Sequence, residues 1–456
     1  MKAAPLLSTI LSARVAVVGA GVTGNSVMKF LQAEGVQCTL FDEKNKDGAL
    51  TELPSTIDFQ FAIISPGWRR DHAMVRALES AGAHLISEID LGWIIKTDRN
   101  PSQRWVALTG TNGKTTSVQM VESIFTAAGV RGRACGNVGN SVVETLHEDA
   151  SLDLLALELS SFQIEWSEYA RFEAVSVLNI AEDHIDWHGS FDNYANTKMK
   201  LLTKSPIAIL NRLDPEIVNR STSWNGRRIF FSLDTPRPGE LGLVENILVD
   251  RAFAASDESA ELFAELADIV PTVPHNVLNA MAAAGLALAI GVTHEEVKAG
   301  LASFTVDHHR LEEVLVRDGI TWVNDSKATN PHAARAALTS TESAIWIAGG
   351  LAKGASMDSL VEAMAPRIRA AILIGQDREL IASALDSYAP AIPYRRVDGV
   401  DAAMLMANVI EAAAEFAREG DTVLLAPACA SMDQFTSYAQ RGDLFREAVL
   451  KKFGAQ

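Results

Sequence analysis

Short apolar runs recur along the chain, each closed by a polar or glycine-containing turn and followed by a stretch with apolar residues at helical spacing. Runs of this kind bury as strands on both faces, and the stretches between them bury one helix face, so the pattern predicts mostly parallel α/β sheets. Arg14-Val15-Ala16-Val17-Val18 is the first predicted strand; a helix over 25–34 stopped by Gly35 and a strand over 36–41 ending at Asp42 follow. Further strands are predicted over 61–64, 105–108, 154–157, 175–180 and 207–211, with helices over 117–128 and from Tyr194 onward. The stretch 222–269, with Pro236 and Pro238, is weakly patterned and reads as a small β excursion. The Ala-rich stretch 280–292 is too short to span a bilayer and reads as a buried helix, opened by His275-Asn276-Val277-Leu278-Asn279. Strands over 320–324, 344–348, 371–374 and 422–426 then alternate with helices again.

A length of 456 residues suggests roughly three domains. Breaks at Asp98-Arg99-Asn100-Pro101-Ser102 and near Thr305 divide the chain into 1–100, 101–305 and 306–456. A hydrophobic content of 48% with 21% charged residues fits a globular protein. The net charge of −17 argues against a nucleic-acid or anionic-membrane partner. Cys38, Cys135 and Cys429 lie far apart with no C-x-x-C, which fits free thiols in a reducing cytoplasm and no zinc site. Ser8, Thr9, Ser12 and Arg14 interrupt any signal-peptide core.

The motifs say what such domains are for. Leu108-Thr109-Gly110-Thr111-Asn112-Gly113-Lys114-Thr115-Thr116 joins a strand to a helix, the layout of a phosphate-binding loop. It is a shortened form, with Leu108 where the full pattern has glycine. Backbone N–H groups can surround phosphate oxygens, Lys114 can supply charge to them, and the Thr115 hydroxyl suits Mg²⁺, so ATP use is predicted. Gly19-Ala20-Gly21-Val22-Thr23-Gly24 is a G-x-G-x-x-G loop in a β-α-β unit with Asp42 about 20 residues on, a pattern that taken alone predicts a dinucleotide such as NAD. Ser65-Pro66-Gly67 forms another tight loop after a strand. Glu158, at the end of an apolar run and before Leu159-Ser160-Ser161-Phe162-Gln163, is a candidate for Mg²⁺ or water. Glu182-Asp183-His184-Ile185-Asp186-Trp187-His188 is dense in His and carboxylates beside a predicted strand, which favours metal or phosphate work. Loops at 324–330, 349–354 and 427–435 close three strands of the third domain.

These motifs together resemble the Mur ligases of bacterial cell-wall synthesis over essentially the whole chain: T-G-T-N-G-K-T-T, L-E-L-S-S-F-Q, N-x-x-E-D-H-x-D, Tyr194-x-x-x-Lys198, His275-Asn276-x-x-Asn279 and His309-Arg310. The loops N-D-S-K-A-T-N and P-A-C-A-S-x-D-Q-F point to the branch of that family that adds D-glutamate. The resemblance implies a Rossmann-like first domain, a central P-loop ATPase domain and a Rossmann-like third domain. It implies an ATP-dependent ligase that phosphorylates the carboxylate of UDP-MurNAc-L-alanine and lets D-glutamate attack the acyl phosphate. It implies two Mg²⁺ ions, held by Thr115, Glu158, His184 and Lys198, the last carboxylated by CO₂. Gly110 to Thr116, Asn276, Arg310 and Asp325, and less directly His309, would bind the nucleotide, and Lys327 would lie near the transferred phosphate. The first glycine loop would then take UDP rather than NAD, with Val22, Thr23, Asp42 and Gly67 at the matching positions and Glu43-Lys44 where the family often has Thr-Arg. Asn137, Ser160, Thr329, Lys353, Ser431 and Tyr438 would contact the substrates. A cytoplasmic monomer is expected on the same grounds, with no nucleic-acid or membrane partner.

Overall fold

The computed structural model describes residues 3–44, 47–254, 256, 258–305 and 308–454. Val306 and Asp307, beside which the third domain is expected to begin, lie outside the described residues.

Three sheets form. The first contains β1 Arg14–Val18, β2 Gln37–Phe41, β3 Phe61–Ile64 and β4 His84–Ser87, all parallel, in the order β2-β1-β3-β4. The second contains β5 Arg104–Thr109, β6 Gly132–Gly136, β7 Leu154–Glu158, β8 Ala174–Val177, β9 Ile207–Asn211, β10 Arg227–Phe231, β11 Glu240–Val244, β12 Ile247–Asp250 and β13 Glu261–Glu265. Its order is β13-β12-β11-β10-β9-β8-β5-β7-β6, parallel except where β11, β12 and β13 pair antiparallel. The weakly patterned stretch is therefore a β extension of the central sheet and not a separate module. The third contains β14 Glu312–Arg317, β15 Ile320–Asn324, β16 Ala344–Gly349, β17 Ile368–Ile374, β18 Tyr394–Arg396 and β19 Thr422–Leu425. Its order is β14-β15-β19-β16-β17-β18, with only β14 antiparallel.

The chain divides into two compact units, Met1–Ile180 with Asp192–Phe304, and Ala181–Phe191 with Thr305–Gln456. In the first unit the helices Lys114–Ala127 and Pro274–Ala289 pack in one core with strands of the second sheet, and small alanines at 280, 282, 283, 284 and 287 let the second helix bury all round. The first and second sheets of this unit are joined by a buried carboxylate. Asp90 accepts from the backbone N–H groups of Glu168, Tyr169 and Ala170 and from Ser167 Oγ, at 2.7–3.2 Å. Four donors offset the desolvation of one buried charge. Among the described residues no helix is long and apolar enough to cross a membrane.

Candidate active site

β5 ends at Thr109 and the helix Lys114–Ala127 begins after a loop of four residues, so the phosphate-binding layout forms as its residues suggest. Gly113 has φ 82°, and a Cβ there would fall 2.3 Å from Asn279 Oδ1, so only glycine fits. Asn179, just past β8, staples the loop. Its carbonyl accepts from Thr111 N–H at 2.9 Å, its Oδ1 accepts from Asn112 N–H at 2.8 Å, and its Nδ2 donates to Asn112 O at 3.0 Å. Lys114 folds over the loop, donating from Nζ to Gly110 O at 3.0 Å and Thr111 O at 2.9 Å. Thr115 and Thr116 lie in the first helical turn, with Thr116 buried. Neither Asn179 nor Asn279 stands out as a loop staple from sequence alone.

Lys198 enters the same loop from the helix Phe191–Met199. It is buried, its Nζ donates to Gly110 O at 2.9 Å, and it lies 4.7 Å from the centre of the Tyr194 ring, whose OH meets Thr111 Oγ1 at 3.0 Å. Glu158 closes β7 in register with Leu108 of β5. Its Oε1 accepts from Asn137 Nδ2 at 2.8 Å, while its buried Oε2 has no hydrogen-bond partner among the described residues. A buried carboxylate oxygen without a donor is costly, and a divalent cation removes that cost, so the site fits Mg²⁺. Among the described residues no group of three or more His, Cys, Asp and Glu side chains converges. A site poor in protein ligands suits Mg²⁺, which keeps water and phosphate oxygens in its shell. Asn276 is buried and donates to Pro271 O at 3.0 Å. Ser160 caps the helix Ser161–Trp166 in a reciprocal pair with Gln163, so its hydroxyl already serves the helix start.

The first glycine loop follows β1. Val22 opens the helix Val22–Ala33 and is exposed, Thr23 follows it, and the helix starts three residues earlier than the apolar spacing predicts. Asp42, past β2, accepts from Ala20 N–H at 2.8 Å and Lys44 N–H at 3.0 Å, which ties the two strand ends together. Gly67 is exposed in the turn after β3. Val22, Thr23, Asp42 and Gly67 thus share the carboxyl ends of three parallel strands, where open α/β sheets bind ligands. Close by, His72 accepts Met74 N–H on Nδ1, which leaves the Nε2 proton to donate to Glu43 at 2.6 Å.

The second unit knits three loops at the carboxyl ends of β15, β16 and β19. Leu351 and Ala430 exchange two backbone hydrogen bonds of 2.9 Å, Ala428 N–H donates to Ala328 O at 2.9 Å, and Gly349 N–H to Pro427 O at 2.8 Å. A Cβ on Gly350 would sit 2.1 Å from Ala430 O, so this closeness needs glycine. The knit brings together Thr329 and Lys327, the exposed Lys353 and the buried Ser431. Ser431 opens a turn, not a helix: the helix Tyr438–Phe453 is capped by Ser437. Lys327 Nζ lies 3.9 Å above the Tyr438 ring. Arg441, fully buried on that helix, donates to Ser326 Oγ, Ser326 O and Cys429 O at 2.9–3.2 Å, and its desolvation lowers its pKa to about 10. Asp377 accepts Ala352 N–H at 2.8 Å, just ahead of Lys353. None of Arg441, Asp377 or Ser326 stands out as a candidate in the sequence alone. Burial pushes the Asp325 carboxyl up to about 7, against the Leu311 N–H and the Arg310 charge, which lower it. His309 is buried, accepts Asn324 Nδ2 at 2.9 Å, and is held below the ordinary histidine range chiefly by desolvation. His184, in Ala181–Phe191, has φ 54° and its N–H donates to Asp183 Oδ1 at 3.0 Å.

Family models match most of the chain: a Mur ligase MurD-like N-terminal domain over 13–87, a Mur ligase middle domain over 108–287 and a Mur ligase glutamate ligase domain over 309–429. The UDP-N-acetylmuramoylalanine–D-glutamate ligase of Thermobifida fusca is 44% identical, covering 96% of this chain and 98% of its own. That of Mycolicibacterium smegmatis is 40% identical, covering 97% of each. Among solved structures, a pseudomurein peptide ligase type C from Methanothermus fervidus aligns with a TM-score of 0.64 at 17% identity, covering 97% of this chain and all of that one. MurF ligase from Thermotoga maritima, solved in complex with ADP, aligns at 0.60 with 15% identity, covering 97% and 99%. At such identities these structures speak for the fold, three mostly parallel α/β domains.

Proposed function

The chain belongs to the Mur ligase family, and we propose that it joins D-glutamate to UDP-N-acetylmuramoyl-L-alanine with ATP, in the synthesis of peptidoglycan precursors. The observation that carries this reading is the pairing of two nucleotide-type loops in one unit. The Gly110 to Gly113 loop serves ATP, and the Gly19 to Gly24 loop is left for a nucleotide-linked second substrate. Relatives at 40–44% identity over nearly the whole chain carry this activity in their names. We assign residues 1–100 to the UDP substrate, 101–305 to ATP and 306–456 to the amino acid.

Chemically, a carboxylate oxygen of the alanyl group attacks the γ-phosphorus of ATP, ADP leaves, and an acyl phosphate forms. The neutral amine of D-glutamate attacks its carbonyl carbon; the tetrahedral intermediate expels phosphate, and the nitrogen gives up its proton. The difficulty is that two anions must meet, so positive charge has to be placed beforehand. Lys114 and the N–H groups of the Gly110 to Gly113 loop and helix start hold the triphosphate. Mg²⁺, held by Thr115, Glu158, His184 and a carboxylated Lys198, would neutralise phosphate charge when bound. What supports a role for Lys198 at this loop is its burial there, with Nζ donating to Gly110 O. Asn276, Arg310 and Asp325 would hold the nucleoside of ATP, and Lys327 would face the transferred phosphate. Asn137, with Val22, Thr23, Asp42 and Gly67, would hold the UDP substrate. Thr329, Lys353 and Ser431 would receive the distal carboxylate of D-glutamate, with Ser160 and Tyr438 lining the substrates. We place the reaction in the cytoplasm, carried out by a monomer.

The test is ADP formation with a panel of amino acids in the presence of UDP-MurNAc-L-alanine. D-glutamate should be the best donor, and release of phosphate should require both substrates. Preference for L-glutamate or a diamino acid would reduce the reading to a ligase of another specificity. Tight NAD binding without uridine-nucleotide binding, read by calorimetry, would overturn the assignment of the first loop.

A further inference from the structure

Three side chains at the seam between the first and second sheets have no part in the chemistry above. Ser26, Ser141 and Glu88 are 6%, 3% and 2% exposed and come from distant stretches of the chain. Ser26 lies one turn into the helix that follows the first glycine loop, and its Oγ is 3.1 Å from the carbonyl oxygens of both Val22 and Thr23. The same Oγ lies 2.7 Å from Ser141 Oγ. Ser141 caps the helix Val142–Glu148, accepting Glu144 N–H at 3.2 Å. Glu88 sits against that helix start, accepting Val143 N–H at 2.6 Å, with the Ser141 hydroxyl beside it favouring its charged form.

The loop 136–140 runs from β6 into this helix and ends on the carboxylate at the centre of the ATP site. Gly136 N–H donates to Asn140 O at 3.0 Å, Asn137 N–H to Glu158 O at 2.9 Å, and Asn137 Nδ2 to Glu158 Oε1 at 2.8 Å. Hydrogen bonds, together with the backbone of residues 136–141, therefore join Val22 and Thr23 to Glu158, with Glu88 beside Ser141 at the helix start. Each hydroxyl has one proton, so the line has two arrangements. Ser26 can donate to the carbonyl of Val22 or Thr23, and Ser141 then donates to Ser26. Alternatively Ser26 donates to Ser141, and the Ser141 proton goes to Glu88. Any change at the Val22 and Thr23 carbonyls shifts the balance between the two. Among the described residues no Lys, Arg or His forms an ion pair with Glu88. Burying an acid this way is costly where a neutral cap would suffice, so the acid calls for a role beyond capping.

We propose that Ser26, Ser141 and Glu88 are positioning residues that transmit occupancy of the first glycine loop to Asn137 and the Glu158 carboxylate, so that the UDP substrate tightens the hold on the magnesium nucleotide. This rests on the reading that the first loop takes that substrate and Glu158 the metal. Binding coupled in this way is reciprocal: each ligand raises affinity for the other by the same factor.

The experiment is calorimetric titration of Mg·AMP-PNP into the full chain, with and without saturating UDP-MurNAc-L-alanine. In the wild type the UDP substrate should lower the Kd of Mg·AMP-PNP by about fivefold or more. Ser26→Ala and Glu88→Gln should abolish that difference while leaving the Kd measured without the UDP substrate unchanged. Ser26→Ala removes one hydroxyl on a helix and keeps the fold testable should Glu88→Gln destabilise it. A wild type with no difference between the two titrations would overturn the proposal. Variants that keep the wild-type ratio, even with weaker binding throughout, would show a merely structural role and overturn it as well. If UDP-MurNAc-L-alanine failed to bind at all, the reading of the first loop would fall with it.

Discussion

Glu88 titrates in a range that makes its burial measurable. Desolvation raises its pKa from 4.5 to about 7, against the Val143 and Val142 N–H groups and the Ser141 hydroxyl, which lower it. Between those values the native chain binds more protons than the unfolded chain, so stability falls as pH rises. The stabilisation tied to the protonated acid is complete below the unfolded value and is lost as pH passes through about 7. Glu88→Gln cannot ionise, so its stability should gain on that of the wild type by on the order of 3 kcal/mol across this window. Urea unfolding at a series of pH values checks this, and parallel profiles for the two proteins would refute it. Lys198 is a second residue whose role turns on its chemical form. Lys198→Ala should lose activity on the order of 10²–10³-fold, the scale for one charge stabiliser in such a site. On the proposal that Lys198 is a carbamate, small carboxylates should restore part of the activity by supplying oxygens in its place, and Lys198→Arg should stay inactive, because a guanidinium remains a cation. Full activity of Lys198→Arg would mean that a plain cation suffices.

At the level of elements, the helix Tyr438–Phe453 ties down, through Arg441, the loops proposed to take the amino acid. Arg441→Met keeps an unbranched side chain but leaves Ser326 O and Cys429 O without that donor, at about 1–3 kcal/mol for each buried group unsatisfied. The KM for D-glutamate should rise well above that for ATP, because the tied loops carry Lys327, Thr329 and Ser431. Equal changes in both would show that Arg441 only supports the fold. Arg441 carries no mark of this in the sequence, and only the folded helix shows it on the buried stripe with Phe445 and Val449. Ser26 and Ser141 are likewise ordinary polar residues until folding brings their distant partners to them. Central strands were the most legible elements. Arg14–Val18, Phe61–Ile64 and Ile207–Asn211 match the predicted strands residue for residue, because parallel strands buried along most of their length read as apolar runs; Ile320–Asn324 matches as well, though it is only partly buried. Tyr394–Arg396 and Glu312–Arg317 are edge strands, half-exposed or more; the first has no apolar run, and the second has only Val314-Leu315-Val316, closed by charged residues on both sides. Helix starts are displaced for a related reason. Val22 and Lys114 open helices with small polar first turns, and these carry no apolar periodicity.

For the molecule as a whole, the question is how a chain with net charge −17 brings together an acidic nucleotide-sugar, a triphosphate and a dicarboxylic amino acid. The answer lies in placement. Lys114 meets the phosphate loop in the first unit, and Lys327 and Lys353 stand on the knitted loops of the second. If the two steps are separate, carboxylate activation should need ATP and the UDP substrate but not D-glutamate. Hydroxylamine added in place of D-glutamate should then attack the acyl phosphate, releasing phosphate and leaving a hydroxamate on the alanyl group. Mass spectrometry should find that hydroxamate only when ATP and UDP-MurNAc-L-alanine are both present, and Lys114→Ala should abolish it. Lys353→Met should leave the trapping intact if Lys353 serves the amino acid as proposed. It should instead raise the KM for D-glutamate well above that for ATP. Loss of trapping in Lys353→Met would place that lysine at the activation step and remove the separation of roles between the two units. Trapping in the absence of the UDP substrate would mean that some other carboxylate is activated, and the pairing of the two nucleotide loops would no longer explain the chemistry.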